Sequence, residues 1–257
     1  VTYQFIDVVY TNDVMEVSIQ RPKLLNALNI QAHAELADVF DKFANASSMN
    51  IAVIRGSGER AFCVGSDLKE RAEVGSDMMP PSGFAGLTER FDLDKPVIAL
   101  VNGDAIGGGL EIILACDLAI AVDTARFGLP EPKVGLAASG GLHRLARQLP
   151  LKRAMEISLM GKLFDATTAL DLGLINEVVP RKSLEKTKER YLSDLRECSP
   201  LALRASKQMM LQGLAQGSLE NAFRANYPSF QRMLASEDAK EGVQAFAEKR
   251  KPVWKCR

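Results

Sequence analysis

Two carboxylates and a run of glycines carry the chemistry that this sequence offers. Glu111 stands in the first turn of an apolar segment, Leu110-Glu111-Ile112-Ile113-Leu114, directly behind Gly107, Gly108 and Gly109. Glu131 stands between Pro130 and Pro132 after a second apolar run. A helix that opens on glycines presents backbone N–H groups that no intrahelical carbonyl satisfies. Such groups stabilise a bound anion or a developing oxyanion, and glycine lets a ligand approach them without meeting a side chain. Two acids in apolar settings beside N–H donors fit acid–base chemistry on a carbonyl compound. Each part alone has an ordinary reading: a tight turn for the glycines, a helix-dipole acid for Glu111, a solvated loop residue for Glu131. Their order within the one stretch from Lys95 to Glu131 gives the chemical reading its weight.

The elements that must position these residues follow from the hydrophobic pattern. Val97-Ile98-Ala99-Leu100-Val101 reads as a buried strand ended by the turn Asn102-Gly103. Upstream, Val14 to Ile19 alternates as a strand, and Asn29 caps a helix in which Ala32, Leu36, Val39, Phe40 and Phe43 recur at helical spacing. Ile51 to Ile54 is a buried strand, followed by Ala61 to Val64, the turn Gly65-Ser66-Asp67 and a charged helical start, Leu68-Lys69-Glu70-Arg71. Gly56-Ser57-Gly58-Glu59-Arg60-Ala61 matches a dinucleotide fingerprint, but no long helix opens there, so a nucleotide cofactor is not expected. Residues 75–86, rich in Gly and Pro, read as a loop, and 86–93, with Leu87, Phe91 and Leu93, as a pocket wall. Asp117 to Val122 is a strand, Ser139-Gly140-Gly141 opens a helix, Leu151 to Met160 is another, and Asp165 caps one that ends at Gly173. Ile175 to Val179 is strand-like, and helical patterns follow over 183–198, 200–213, 218–235 and 237–250. The core strands come in pairs between helices, which departs from a simple alternating βαβ sheet.

Composition bounds the partners. The 257 residues are 47% hydrophobic, enough to bury a substantial core, and 32 basic residues balance 32 acidic ones. A net charge of zero gives no attraction to nucleic acid, and the densest basic stretch, Lys249-Arg250-Lys251, is short. No apolar run is long enough to span a bilayer and no signal peptide is visible at Val1. Cys63, Cys116, Cys198 and Cys256 lack metal-ligand spacing, and His33 and His143 have no nearby ligand set, so no metal is expected. Free thiols fit a reducing compartment, and the chain is expected in the cytoplasm.

The motifs AFCVGSDLKE (61–70), KPVIALVNGDAIGGGLEIILACDLAIA (95–121), FGLPEPKVGL (127–136) and SGGLHRLARQLP (139–150) resemble the enoyl-CoA hydratase/isomerase, or crotonase, family. The likeness extends to RPKLLNAL (21–28) and EKRKPVWK (248–255), nearly the whole chain. Within the family, 83–99 and 235–255 look most like the branch that dehydrates carnitinyl-CoA. The resemblance implies an α/β fold, a crotonase-like spiral of ββα turns over 1–195 followed by a helical trimerisation region over 196–257. It implies a homo-oligomer, a trimer or a dimer of trimers, acting on an acyl-CoA thioester. Coenzyme A then belongs to the substrate, and no separate cofactor is expected.

For the site, the resemblance maps two oxyanion-hole N–H groups to Ser66 and Gly108. It gives Glu111 a part in activating water and Glu131 proton exchange at Cα. Asp67, Leu68 and Lys69 correspond to a CoA-binding segment, and Lys255 to a basic position that serves a neighbouring subunit's CoA. Phe84, Leu87, Phe91 and Leu136 are expected around the acyl pocket, with Phe84, Glu89 and Phe91 offering the aromatic faces and acid that a cationic acyl group needs. At 136–141 the sequence reads LAASGG where many members carry a Pro-Gly-Ala-Gly-Gly run, which tells against an ordinary straight-chain substrate. Hydration of a 2-enoyl-CoA is therefore the expected reaction. The alternatives are isomerisation, which often needs only one of the two acids, another acyl-CoA reaction of the same family, and an RNA-binding relative without a catalytic role.

Overall fold

The computed structural model describes residues 2–75 and 78–257. Val1, and Ser76 and Asp77 inside the loop expected over 75–86, lie outside the described residues. The chain opens with a hairpin, β1 (Ile6–Thr11) and β2 (Val14–Ile19), joined by Asn12-Asp13 with Asn12 at φ +56°. The hydrophobic pattern gave β2 but not β1, because most β1 side chains are exposed and carry no inward-facing alternation. The two-residue Asn-Asp turn is the signal that marks it. Next, α1 (Ile30–Asn45) is capped by Asn29, whose side chain accepts from Ala32 N at 3.0 Å. The expected apolar stripe, Ala32, Leu36, Val39, Phe40 and Phe43, is buried.

The paired strands then explain themselves. β3 (Ile51–Gly56) is followed by β4 (Ala61–Cys63) and α2 (Leu68–Val74); β5 (Val97–Val101) by β6 (Asp104–Ile106) and α3 (Gly108–Ala115); β7 (Leu118–Val122) by β8 (Arg126–Gly128). In each turn the first strand joins one sheet and the second joins another. The larger sheet runs β1-β2-β3-β5-β7-β10, parallel from β2 onward, and the smaller runs β4-β6-β8-β9. Strand β5, buried at every position, sits inside the larger sheet, as its unbroken apolar run requires. The nucleotide lookalike at Gly56 leads directly into β4, and no helix opens there. After β8 come α4 (Leu142–Gln148), α5 (Leu151–Met160), β9 (Phe164–Asp165), α6 (Ala166–Asp171), β10 (Glu177–Val179) and α7 (Leu184–Glu197). Asp165 caps α6 by accepting from Thr168 N at 2.8 Å.

By compactness the chain divides into two units, Val1–Phe91 with Val97–Lys188, and Asp92–Pro96 with Glu189–Arg257. The second unit holds α8 (Pro200–Gly213), α9 (Leu219–Arg224), α10 (Pro228–Ala235) and α11 (Glu237–Ala247). The single helix expected over 218–235 is two, α9 and α10. Ala225 leaves α9 in extended backbone, and Pro228, which lacks an N–H and disfavours helix at Tyr227, opens α10. The C-terminal tail is tied down by buried Asp238, which accepts from Lys255 N at 2.7 Å and Cys256 N at 3.1 Å.

Candidate active site

At the β6–α3 junction Gly107 N donates to Gly128 O at 2.9 Å, and Gly107 O accepts from both Leu110 N and Glu111 N. Gly107 takes φ +57°, the left-handed turn that starts α3 and that a larger residue adopts only with strain. These bonds leave Gly108 N unpaired among the described residues, as the first turn of a helix requires. The other donor comes from the β4–α2 turn. Leu28 N donates to Gly65 O at 2.8 Å and Leu28 O accepts from Asp67 N at 2.8 Å, so Leu28 bridges Ser66 as in a parallel ladder. The N–H of Ser66 itself then points away from Leu28 and has no acceptor among the described residues. Gly65 brings this turn against α3: a Cβ placed there would lie 3.2 Å from Gly108 N. Two unspent N–H donors from separate turns thus meet at one cavity of about 260 Å³, which Ser66 and Gly108 both line.

Glu111 and Glu131 line the same cavity. Glu111 is buried, and its Oε1 and the Oε2 of Glu131 have no hydrogen-bond partner among the described residues. Burial, reinforced by the nearby Glu131 charge, pushes the Glu111 carboxyl up to about 7, against the pull of the Gly140 and Gly141 N–H groups. Burial also raises Glu131. Glu131 opens a single 3₁₀ turn, Glu131–Val134, between two prolines that fix its backbone, and its Oε1 lies 2.8 Å from where a Cβ on Gly107 would stand. Two carboxyl groups that burial raises, beside two donors, give one proton acceptor, one proton donor and a cradle for an oxyanion.

Of the other expected site residues, Phe84, Leu68 and Leu136 line the cavity. The ring of Phe84 packs on Gly108 so closely that a Cβ there would lie 2.2 Å from Cζ. Leu87 and Phe91, expected in the wall, do not line it. Ala85 at φ +55° and Gly86 at φ +67° reverse the chain, turning Leu87 into the core and leaving Phe91 78% exposed, with the Arg144 guanidinium 5.5 Å above its ring. The wall is carried instead by Phe84, Thr88 and Glu89.

Asp67 spends its carboxylate on α2 and on Arg21: it accepts from the N–H groups of Lys69 and Glu70 and pairs with Arg21 Nη2 at 2.8 Å. Lys69 is exposed on α2, and Lys255, in the second unit, pairs with Glu237 at 3.3 Å. Sequence reasoning missed Thr88, Arg71 and Lys133, which also line the cavity, because a lone Thr or basic residue between apolar ones has no periodic signature. Among the described residues no cluster of His, Cys, Asp and Glu could hold a metal ion, and no helix is long and apolar enough to cross a membrane.

The chain is similar to known proteins along nearly its whole length. The family model described as enoyl-CoA hydratase/isomerase matches residues 10–257. The chain is 42% identical to carnitinyl-CoA dehydratase of Citrobacter koseri over 254 residues, covering 95% of each, and 40% identical to that of Proteus mirabilis over 251 residues, again 95% of each. The crystal structure of enoyl-CoA hydratase from Mycobacterium tuberculosis H37Rv superposes with a TM-score of 0.91 at 34% identity, covering 98% of this chain and 99% of that one. The enoyl-CoA hydratase of Bacillus anthracis gives 0.91 at 32% identity over 99% and 100%. The α/β spiral of ββα turns is therefore the crotonase fold. With sequence, fold and nearly full-length coverage in agreement, this chain belongs to the enoyl-CoA hydratase/isomerase family.

Proposed function

We propose that this protein is an enoyl-CoA hydratase, a hydro-lyase that adds water reversibly and syn across the double bond of a 2-enoyl-CoA thioester. The reading is carried by Glu111 and Glu131 facing one cavity together with the unspent N–H donors of Ser66 and Gly108. The thioester oxygen binds between the two N–H groups, where the charge of the enolate develops. Glu111 accepts a proton from water as its oxygen bonds to Cβ, and Glu131 delivers a proton to Cα as the enolate collapses. Carboxyl groups raised by burial, Glu111 to about 7, suit the two transfers. Coenzyme A arrives as part of the substrate, with Leu68 at the cavity wall and Lys69 nearby on α2 in support of its binding.

The acyl group we assign is crotonobetaine-like, so that the pair interconverted is crotonobetainyl-CoA and carnitinyl-CoA. Support comes from the similarity to carnitinyl-CoA dehydratases and from Phe84 and Glu89 in the cavity wall, an aromatic ring and a carboxylate suited to a quaternary ammonium. Assembly as a trimer or a dimer of trimers is part of the same proposal. Steady-state hydration of crotonyl-, longer enoyl- and crotonobetainyl-CoA tests it. The highest kcat/KM is expected for crotonobetainyl-CoA; a far higher value for crotonyl-CoA removes the cationic substrate and leaves the general hydratase.

A further inference from the structure

Thr88 has no part in the reaction as given above, yet its surroundings give it one. It is 2% exposed, lines the cavity, and accepts from Phe84 N through Oγ1 at 2.8 Å. That bond uses a lone pair of the hydroxyl and leaves its proton without an acceptor among the described residues. A buried donor of this kind is costly unless something in the cavity takes it up. The neighbouring group is Glu111. The point where a Cβ on Gly140 would stand is 3.1 Å from Thr88 Oγ1 and 3.2 Å from Glu111 Oε2. The hydroxyl and the carboxylate oxygen therefore both pack against the same side of Gly140, where a larger residue would press on each. Both residues line the cavity, where one water can take the hydroxyl proton and turn its own O–H to the carboxylate, with hydrogen bonds of about 2.8 Å each.

We propose that Thr88 is a catalytic residue that, with Glu111, holds the water added to the double bond, and that Gly140 keeps the place for it. The inference rests on the hydratase reading. The Thr88 O–H donates to the water oxygen, and one water O–H points at Glu111. That leaves a lone pair on the same oxygen for Cβ. As the O–Cβ bond forms, the water O–H breaks and its proton passes to Glu111, while the π pair of Cα=Cβ moves toward the thioester to give the enolate. Glu131 then protonates Cα; the proton on Glu111 leaves to solvent and Glu131 takes one up from solvent, which resets the site. Thr88 gains and loses no proton; it fixes where the oxygen stands. In the dehydration direction the same hydroxyl holds the departing oxygen.

The test separates water handling from enolate formation. Exchange of the α-protons of butyryl-CoA in deuterated water needs Glu131 and the oxyanion donors but no added water, so it reports the rest of the site. Thr88→Val and Gly140→Ala should each lower crotonyl-CoA and crotonobetainyl-CoA hydration about 100-fold relative to exchange, the scale of losing one placed donor. Thr88→Ser, which keeps the hydroxyl, should recover most of the hydration. Gly140→Ala keeps both the hydroxyl and the carboxylate but puts a methyl 3.1 Å from Thr88 Oγ1 and 3.2 Å from Glu111 Oε2, so it presses on the two groups that hold the water. Equal loss of exchange and hydration in Thr88→Val would mean that the hydroxyl only fastens Phe84, and the inference is overturned. Wild-type hydration in either Thr88→Val or Gly140→Ala overturns it as well. A wild-type protein that exchanges but hydrates no enoyl-CoA instead removes the hydratase reading, and the inference with it.

Discussion

Burial holds the Glu111 carboxyl up to about 7 and the His33 imidazole down to about 4, and the two act oppositely on stability. The native state binds a proton at Glu111 that the unfolded chain has lost above its ordinary carboxylate range. Stability from this group therefore falls as pH rises from about 4.5 to 7. His33 accepts from Ala85 N through Nδ1 at 3.1 Å and packs edge-on against Phe84, so it stays neutral where the unfolded chain becomes charged. Its share is fully present above about 6.5 and is lost as pH falls toward 4. Between these limits the slopes oppose. Glu111→Gln should remove one of them: urea denaturation should show the variant gaining on the wild type by up to about 3 kcal/mol at pH 8. The gap should close near pH 4.5, and a constant difference across this range contradicts a raised Glu111. The same substitution, and Glu131→Gln, should cost turnover roughly a factor of 100 to 10,000 while leaving CoA affinity and fold in place. Unchanged turnover in both would put the chemistry elsewhere.

At the scale of elements, the site depends on two turns keeping their shape. The β4–α2 turn that carries Ser66 is held from behind by Leu28 and by Arg21, which donates to Ala27 O and pairs with Asp67. Asp67, whose carboxyl the Arg21 guanidinium and the α2 N–H groups hold below the ordinary range against burial, therefore caps and anchors. Asp67→Ala should cost about 1–2 kcal/mol of stability, the usual effect of a lost cap. It should lower kcat more than it raises KM for the CoA substrate. A large rise in KM with kcat unchanged would instead make Asp67 a ligand of CoA. The β6–α3 turn is constrained on its open side by Phe84. Gly108→Ala puts a methyl into that ring, so activity should fall steeply with little change in circular dichroism, because the aromatic wall and not the helix must give way. Full activity in a folded Gly108→Ala variant would show that the ring has no part in shaping the donor.

At the scale of the whole molecule, the helices of the second unit present uncovered apolar side chains. Met210, Leu211, Leu214, Phe223 and Phe246 are more than half exposed, with Phe223 at 83% and Phe246 at 87%. Large apolar side chains in that number are uncommon on a solvated surface and are normal at a subunit interface. Sedimentation is expected to show a trimer or a hexamer, and truncation before Pro200 is expected to aggregate. A stable monomer at micromolar concentration would reject the assembly.

The sequence by itself determined whatever depends on neighbours along the chain. The apolar run of β5, the Asn29 and Asp165 caps, the stripe of α1 and the glycine start of α3 are local patterns, and each stands where its pattern puts it. The motifs that carry the family resemblance are likewise contiguous stretches. What only the tertiary structure decided is which of these local pieces share a space. The meeting of the Ser66 and Gly108 donors depends on the Leu28 bridge and on Gly65 packing against α3, pairings between segments far apart in the chain. Phe91 and Thr88 are close neighbours in sequence, yet two left-handed residues at Ala85 and Gly86 send one to the surface and the other beside Glu111. Hydrophobicity ranked the aromatic residue as pocket wall and passed over the threonine. Side-chain type sets what a residue can do, and the fold of the backbone sets what it faces.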